Sequence, residues 1–248
     1  MAMHILGLFL SAFAGAAGAA ADARLPDTSK MNILFINIED CTARAWGCYG
    51  NPICKTPNID RLAATGVRFD AAYCQAICCN PTRTSFLTGL RPLSTGVLSN
   101  GHVMNEHLPP GVSTLPEMLK ARGVYTAVIG KLFHKVEYAE RQLATFDRIE
   151  MYAKPRGWKG PEAILEFPPL PREVRGAPAP KDQKSKAYRE WRAARSDRYG
   201  DSGLTREQEH DYRMARTAVA LLKQFAANEQ QFFLALSQSR PHTPLIAP

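Results

Sequence analysis

Three short apolar runs punctuate the chain, at residues 32–38 (Asn-Ile-Leu-Phe-Ile-Asn-Ile), 125–129 (Tyr-Thr-Ala-Val-Ile) and 232–236 (Phe-Phe-Leu-Ala-Leu). None alternates strictly between apolar and polar positions. Each therefore predicts a strand buried on both faces, as found inside a largely parallel sheet. Between them the apolar spacing turns helical. Residues 58–64 predict a short helix, opened by Thr56-Pro57 and closed by Gly66. A second runs from Pro81 through Leu87 and ends near Gly89. A third spans 114–122, stopped by Gly123, with Leu115, Met118 and Leu119 on one face. A long helix covers about 206–228, with Ala215, Val219, Leu222 and Phe225 at helical spacing. Residues 67–73 read as a strand or extended stretch. Strands alternating with helices predict an α/β fold with a largely parallel central sheet and helices on both faces.

Two segments stand outside this pattern. Residues 5–21 carry no charge, begin Ile5-Leu6-Gly7-Leu8-Phe9-Leu10 and end in Ala- and Gly-rich sequence, with Ala19 and Ala21 suited to a cleavage site before Asp22. This predicts a signal peptide over 1–21, hence export to a periplasmic or extracellular space, lysosomal-type in a eukaryote. The alternative of a membrane anchor suits the stretch less well, because it is short and its second half is poor in large apolar residues. No later run is long enough to span a bilayer, so no stable membrane insertion is expected. Residues 155–180 are rich in Pro and Gly, which predicts a surface insertion within a single unit of residues 22–248.

Composition narrows the function classes. With 45% hydrophobic and 22% charged residues, the 248-residue chain is ordinary for a folded domain with a sizeable core. Its formal charge of +8 favours anionic partners. The Lys and Arg residues are dispersed, with no zinc finger or recognition helix, so a nucleic acid is not expected. A sulfated or phosphorylated substrate fits the same charge. Six cysteines, at 41, 48, 54, 74, 78 and 79, lack the paired spacing of a zinc site.

The candidate chemistry lies at the ends of the predicted strands. Glu39 and Asp40 follow the first strand, at the edge where open α/β sheets bind ligands. Taken alone, they read equally as acids capping a strand end. Cys79-Asn80-Pro81-Thr82-Arg83 opens a helix, whose N-terminal N–H groups and dipole favour an anion. Arg83 is one turn further along the same face. Lys131 and His134, spaced i and i+3, follow the second strand, and His242 follows the third. A lone Cys at a helix start is otherwise a small buried residue, and a lone His is more often structural.

In context these segments resemble the type I, formylglycine-dependent sulfatases, nearest the iduronate sulfatase branch. The resemblance rests on Cys79-Asn80-Pro81-Thr82-Arg83 continuing to Leu87-Thr88-Gly89. It is supported by Gly47-Cys48-Tyr49-Gly50-Asn51-Pro52, Thr56-Pro57-Asn58-Ile59-Asp60-Arg61-Leu62-Ala63, Gly66-Val67-Arg68-Phe69, Gly130-Lys131-Leu132-Phe133-His134 and Arg240-Pro241-His242-Thr243-Pro244, in family order. It implies an alkaline-phosphatase-like sandwich and a sulfuric ester hydrolase acting on a sulfated small molecule or glycan. Cys79 would be oxidised to formylglycine by a formylglycine-generating enzyme, and one hydroxyl of its hydrate would attack sulfur. Glu39, Asp40 and the modified Cys79 would ligate Ca²⁺ or Mg²⁺. Family members often have two Asp where this chain has Glu39-Asp40. By resemblance Arg83 supports the diol, Lys131 contacts sulfate and diol, His134 acts near the nucleophile, and His242 contacts the sulfate or protonates the leaving oxygen.

The resemblance also implies an N-terminal part only, truncated at the C-terminus. Family members continue with a second pair of metal ligands, another substrate-binding Lys and a smaller domain. Two further functions are carried forward: an inactive fragment or pseudo-sulfatase that at most binds sulfated glycans, and a phosphoesterase of the same superfamily. A Cys rather than Ser or Thr at position 79, and the lack of His/Asp zinc spacing, count against the phosphoesterase.

Overall fold

A computed structural model of the chain describes residues 27–135, 138–150, 180–196, 199–243 and 245–248. The predicted leader at 1–21 and all but Pro180 of the predicted insertion lie outside the described residues. Residues 27–31 belong to a separate short unit, a turn in which Asp27 Oδ1 accepts the Ser29 N–H at 2.9 Å. Everything below concerns Asn32–Pro248.

Four parallel strands form the main sheet: β1 (Ile33–Ile38), β2 (Tyr125–Gly130), β3 (Arg148–Glu150) and β5 (Phe232–Gln238), in the order β1-β5-β2-β3. β4 (Tyr199–Asp201) pairs separately, and in parallel, with β6 (Leu245–Ala247). The helices are α1 (Pro57–Thr65), α2 (Cys79–Thr88), α3 (Pro92–Thr95), α4 (Met104–His107), α5 (Leu115–Lys120), α6 (Glu140–Leu143), α7 (Lys186–Ser196) and α8 (His210–Ala227). The sheet and the helices packed on it make an alkaline-phosphatase-like α/β architecture.

β2 and β5 occupy the middle of the sheet and are covered on both sides, as their unbroken apolar sequence requires. Successive side chains point to opposite faces. Val128, Phe233 and Ala235 meet Leu87 of α2 with Val97, Met104 and Phe146. Ala127, Ile129, Phe232, Leu234 and Leu236 meet Met214, Ala218, Leu221 and Phe225 of α8. Each large side chain buried in these layers contributes about 1.5–3 kcal/mol of apolar transfer.

Sequence and structure part at several places. β1 was expected to be buried on both faces, yet Leu34 is 42% and Ile36 50% exposed. β1 is an edge strand, and α8 covers β2 and β5 without reaching it. Residues 67–73 form no strand, and Val67, Phe69 and Tyr73 are exposed. The buried face of α8 is Met214-Ala218-Leu221-Phe225; Phe225 is buried as read, but the other three positions are offset by one residue from the stripe read in the sequence, and Val219 is half exposed. The helix is apolar over a broad arc, so the sheet decides which residues turn inward. In α5, Pro116 is buried and Leu119 packs on the core, while Leu115 and Met118 are exposed. All six cysteines are free thiols.

Candidate functional site at the carboxyl edge of the sheet

Parallel pairing brings the carboxyl ends of β1, β5 and β2 side by side. Asn37 and Gly130 both register on Ser237. Immediately beyond them follow Glu39, Lys131 and the segment leading to His242. Gly130 makes this turn at φ +75°, and a Cβ there would lie 2.3 Å from the Ser237 carbonyl oxygen, so only glycine fits. Residues 132–134 then form a bend.

α2 begins at Cys79, with Cys78 as the extended N-cap residue and Gly89 ending it in the left-handed region. Its first turn stands against the end of β1. Cys79 Sγ is 3.6 Å from Glu39 Oε1. The same carboxylate oxygen accepts from Lys131 Nζ and lies 3.2 Å from Arg83 Nη2. Glu39 and Arg83 are each 5% exposed. Burial works against the Glu39 charge, but the Lys131 hydrogen bond and the Arg83 guanidinium outweigh it, and the carboxyl is held below its usual range. Arg83 also donates to the carbonyls of Lys131 and of Leu132, the latter at 3.1 Å.

Burial raises the Cys79 thiol above its ordinary value, with Glu39 and Asp40 adding to Lys131 and Arg83 opposing. The group is therefore a thiol, not an activated thiolate, at neutral pH. Burial, Lys131, Lys135 and Arg83 push the His134 imidazole down to about 4, so it is neutral at physiological pH. Its Nδ1 is buried with no hydrogen-bond partner among the described residues. Asp40 adopts a left-handed conformation at φ 55°, and its Oδ2 lies 3.6 Å from His242 Nε2. Every sequence-derived candidate thus falls at one edge of the sheet. Cys79, Glu39, Arg83 and Lys131 are in direct contact, while Asp40 and His242 form a more exposed second pair.

Four supporting residues escaped the sequence analysis. Ser237 Oγ donates to the Lys131 carbonyl at 2.6 Å and accepts from Asn37 Nδ2 at 2.9 Å. A polar residue closing each apolar strand was the available signal. Asn80 is buried; its N–H donates to Asn100 Oδ1 at 2.9 Å and its Nδ2 to the Ser99 and His102 carbonyls. Asp211 holds the chain after β5 (below), and nothing in the sequence pointed to it.

For a divalent cation, Glu39 and Asp40 are right in kind but few in number. Among the described residues no three His, Cys, Asp or Glu side chains converge, whereas Ca²⁺ takes about six to eight oxygens. Both carboxylates already face cationic or imidazole groups. The residues present do not complete a metal site.

The fold places the chain in the alkaline-phosphatase-like α/β class. The sequence matches the Sulfatase family over residues 31–248, and the chain belongs to that family. It is 28% identical to iduronate 2-sulfatase of Homo sapiens over 253 aligned positions, covering 98% of this chain and 40% of that protein. It is 30% identical to a sulfatase of Formosa agariphila, covering 90% of this chain and 41% of that protein. Among solved structures it resembles that of BT4656 in complex with its substrate D-glucosamine-2-N,6-O-disulfate, with TM-score 0.56 and 22% identity over 86% of this chain and 35% of that one. The chain spans about 40% of the length of the curated relatives it matches. Among the described residues no helix is long and apolar enough to cross a membrane.

Proposed function

We propose that this chain carries the nucleophile half of a sulfuric ester hydrolase acting on a sulfated glycan or related small sulfate ester, in an exported compartment. The observation that carries this is the convergence of Cys79, Arg83 and Lys131 on Glu39 at the N-terminus of α2, on a chain of formal charge +8. The substrates named for its relatives, an iduronate 2-sulfate and a glucosamine disulfate, support a sulfated carbohydrate. The raised thiol makes Cys79 a poor nucleophile as it stands; its place in Cys79-Asn80-Pro81-Thr82-Arg83 supports conversion to formylglycine by a formylglycine-generating enzyme. That group, as its hydrate, would supply two hydroxyls, one to attack sulfur and displace the alcohol, the other to expel sulfate as the aldehyde re-forms.

The remaining chemistry belongs to the chain's own side chains. Lys131 and Arg83 hold negative charge where the sulfate would sit, aided by the α2 N-terminus. Neutral His134 offers a nitrogen to accept a proton near the nucleophile. His242, beyond β5 at the same carboxyl edge, is suited to the leaving oxygen. Glu39 and Asp40 would be two of the ligands of a Ca²⁺ or Mg²⁺.

The test is coexpression with a formylglycine-generating enzyme, mass spectrometry of the Cys79 peptide and hydrolysis of an aryl sulfate. Conversion of Cys79 is expected, and Cys79→Ala should abolish whatever aryl sulfate hydrolysis the chain supports. An unmodified thiol, where a control sulfatase is fully converted, would overturn the proposal and leave a sulfate-binding cleft.

A further inference from the structure

Asp211 is the second residue of α8, a position where an acid ordinarily serves its own helix terminus. Its carboxylate reaches instead to the chain leaving β5. Oδ1 accepts the Ser239 N–H at 3.0 Å and Oδ2 the Arg240 N–H at 2.7 Å. The Asp211 carbonyl also faces Gln238 Nε2 at 3.4 Å. The side chain is only 16% exposed, with the His210 ring nitrogen 3.4 Å from Oδ1. One carboxylate thus grips two successive N–H groups bidentately, a short and directional arrangement.

That grip passes directly to His242. The His242 N–H donates to the Ser239 carbonyl at 3.0 Å, closing the turn whose first residue Asp211 holds. The His242 ring then stands 3.6 Å from Asp40 on the neighbouring strand end. We infer that Asp211 is the positioning residue for His242, setting the backbone from which that imidazole reaches the sulfate site. It touches neither the nucleophile nor the substrate position and acts only through the 239–242 turn.

The inference rests on the proposed sulfatase reading, so its test has one arm that needs no turnover. Hydrogen exchange at the amides of Ser239, Arg240 and His242 is compared between wild type and Asp211→Ala. All three are expected to exchange at least about tenfold faster in the variant, while Phe233–Leu236 in β5 are unchanged. Acceleration confined to Ser239 and Arg240, with His242 still protected, would overturn the inference. In the second arm, Asp211→Ala should lower kcat/KM for an aryl sulfate about tenfold or more in wild type and have no further effect beside His242→Ala. Equal losses in both backgrounds would show that Asp211 does not act through His242. Asp211→Asn, which keeps one acceptor oxygen, should fall between wild type and Ala in both arms. An unmodified Cys79 would refute the sulfatase reading, and the exchange result would still decide the role of Asp211.

Discussion

Arg83 Nη2 stands 3.2 Å from Glu39 Oε1 with both side chains 5% exposed, and Lys131 Nζ binds the same oxygen. One buried carboxylate thus balances two cations contributed by a helix and by the end of β2, two strands away. Glu39 is consequently as much a structural residue as a candidate ligand.

Replacing Glu39 by Gln should therefore destabilise the chain by about 2–4 kcal/mol, because Arg83 and Lys131 would lose their counter-charge in a water-poor site. Adding Lys131→Met should restore part of the loss. Urea unfolding of the single and double variants measures both. A change of less than about 0.5 kcal/mol would mean that water screens the pair fully.

His134 gives stability a definite pH dependence. Its imidazole is held near 4 in the folded chain, against 6.5 when unfolded. Between these values the unfolded chain binds the extra proton, so the His134 contribution is complete above pH 6.5 and is lost as pH falls towards 4. After allowance for the ring's partial exposure, the loss should be about 1–2 kcal/mol. The stability difference between wild type and His134→Gln, followed from pH 7 to 4, should shift by that amount in favour of the variant. A difference independent of pH would contradict it.

Calcium should bind weakly. With two carboxylates, each already facing a cationic or imidazole group, a Kd above about 1 mM is expected, so 2 mM Ca²⁺ should add less than about 0.7 kcal/mol. Thermal unfolding with Ca²⁺ and with chelator measures this. A larger increment would require further oxygen donors.

Asn80 should matter through the loop it anchors. Removing its amide leaves the Ser99 and His102 carbonyls without that donor, which should cost about 2–3 kcal/mol in Asn80→Ala. Denaturant titration checks the cost, and faster amide exchange across 99–102 would locate it.

The exposed face of β1 should drive self-association. Leu34 and Ile36 present apolar surface beside a strand edge with no partner among the described residues. Ile36→Lys should reduce aggregation in light scattering with stability changed by less than about 1 kcal/mol, whereas Val128→Lys, in the buried centre, should not fold.

The sequence by itself determined three of the six described strands, β1, β2 and β5, and named the candidate site residues. Runs such as Phe232–Leu236 are too apolar and too short for anything but strands in a covered sheet. Cys79-Asn80-Pro81-Thr82-Arg83 carries its pattern locally, since helix start and i, i+4 spacing involve only neighbours. Tertiary structure alone decided the rest, because it depends on what lies across the sheet. Burial periodicity could not show that β1 is an edge strand, nor which arc of α8 turns inward, as both are set by the reach of one helix over a four-stranded sheet. Glu39, Arg83 and Lys131 are far apart in sequence, and only parallel register brings them onto one oxygen atom. Asp211 has no local signal, because its partners are two backbone N–H groups and any sequence supplies those.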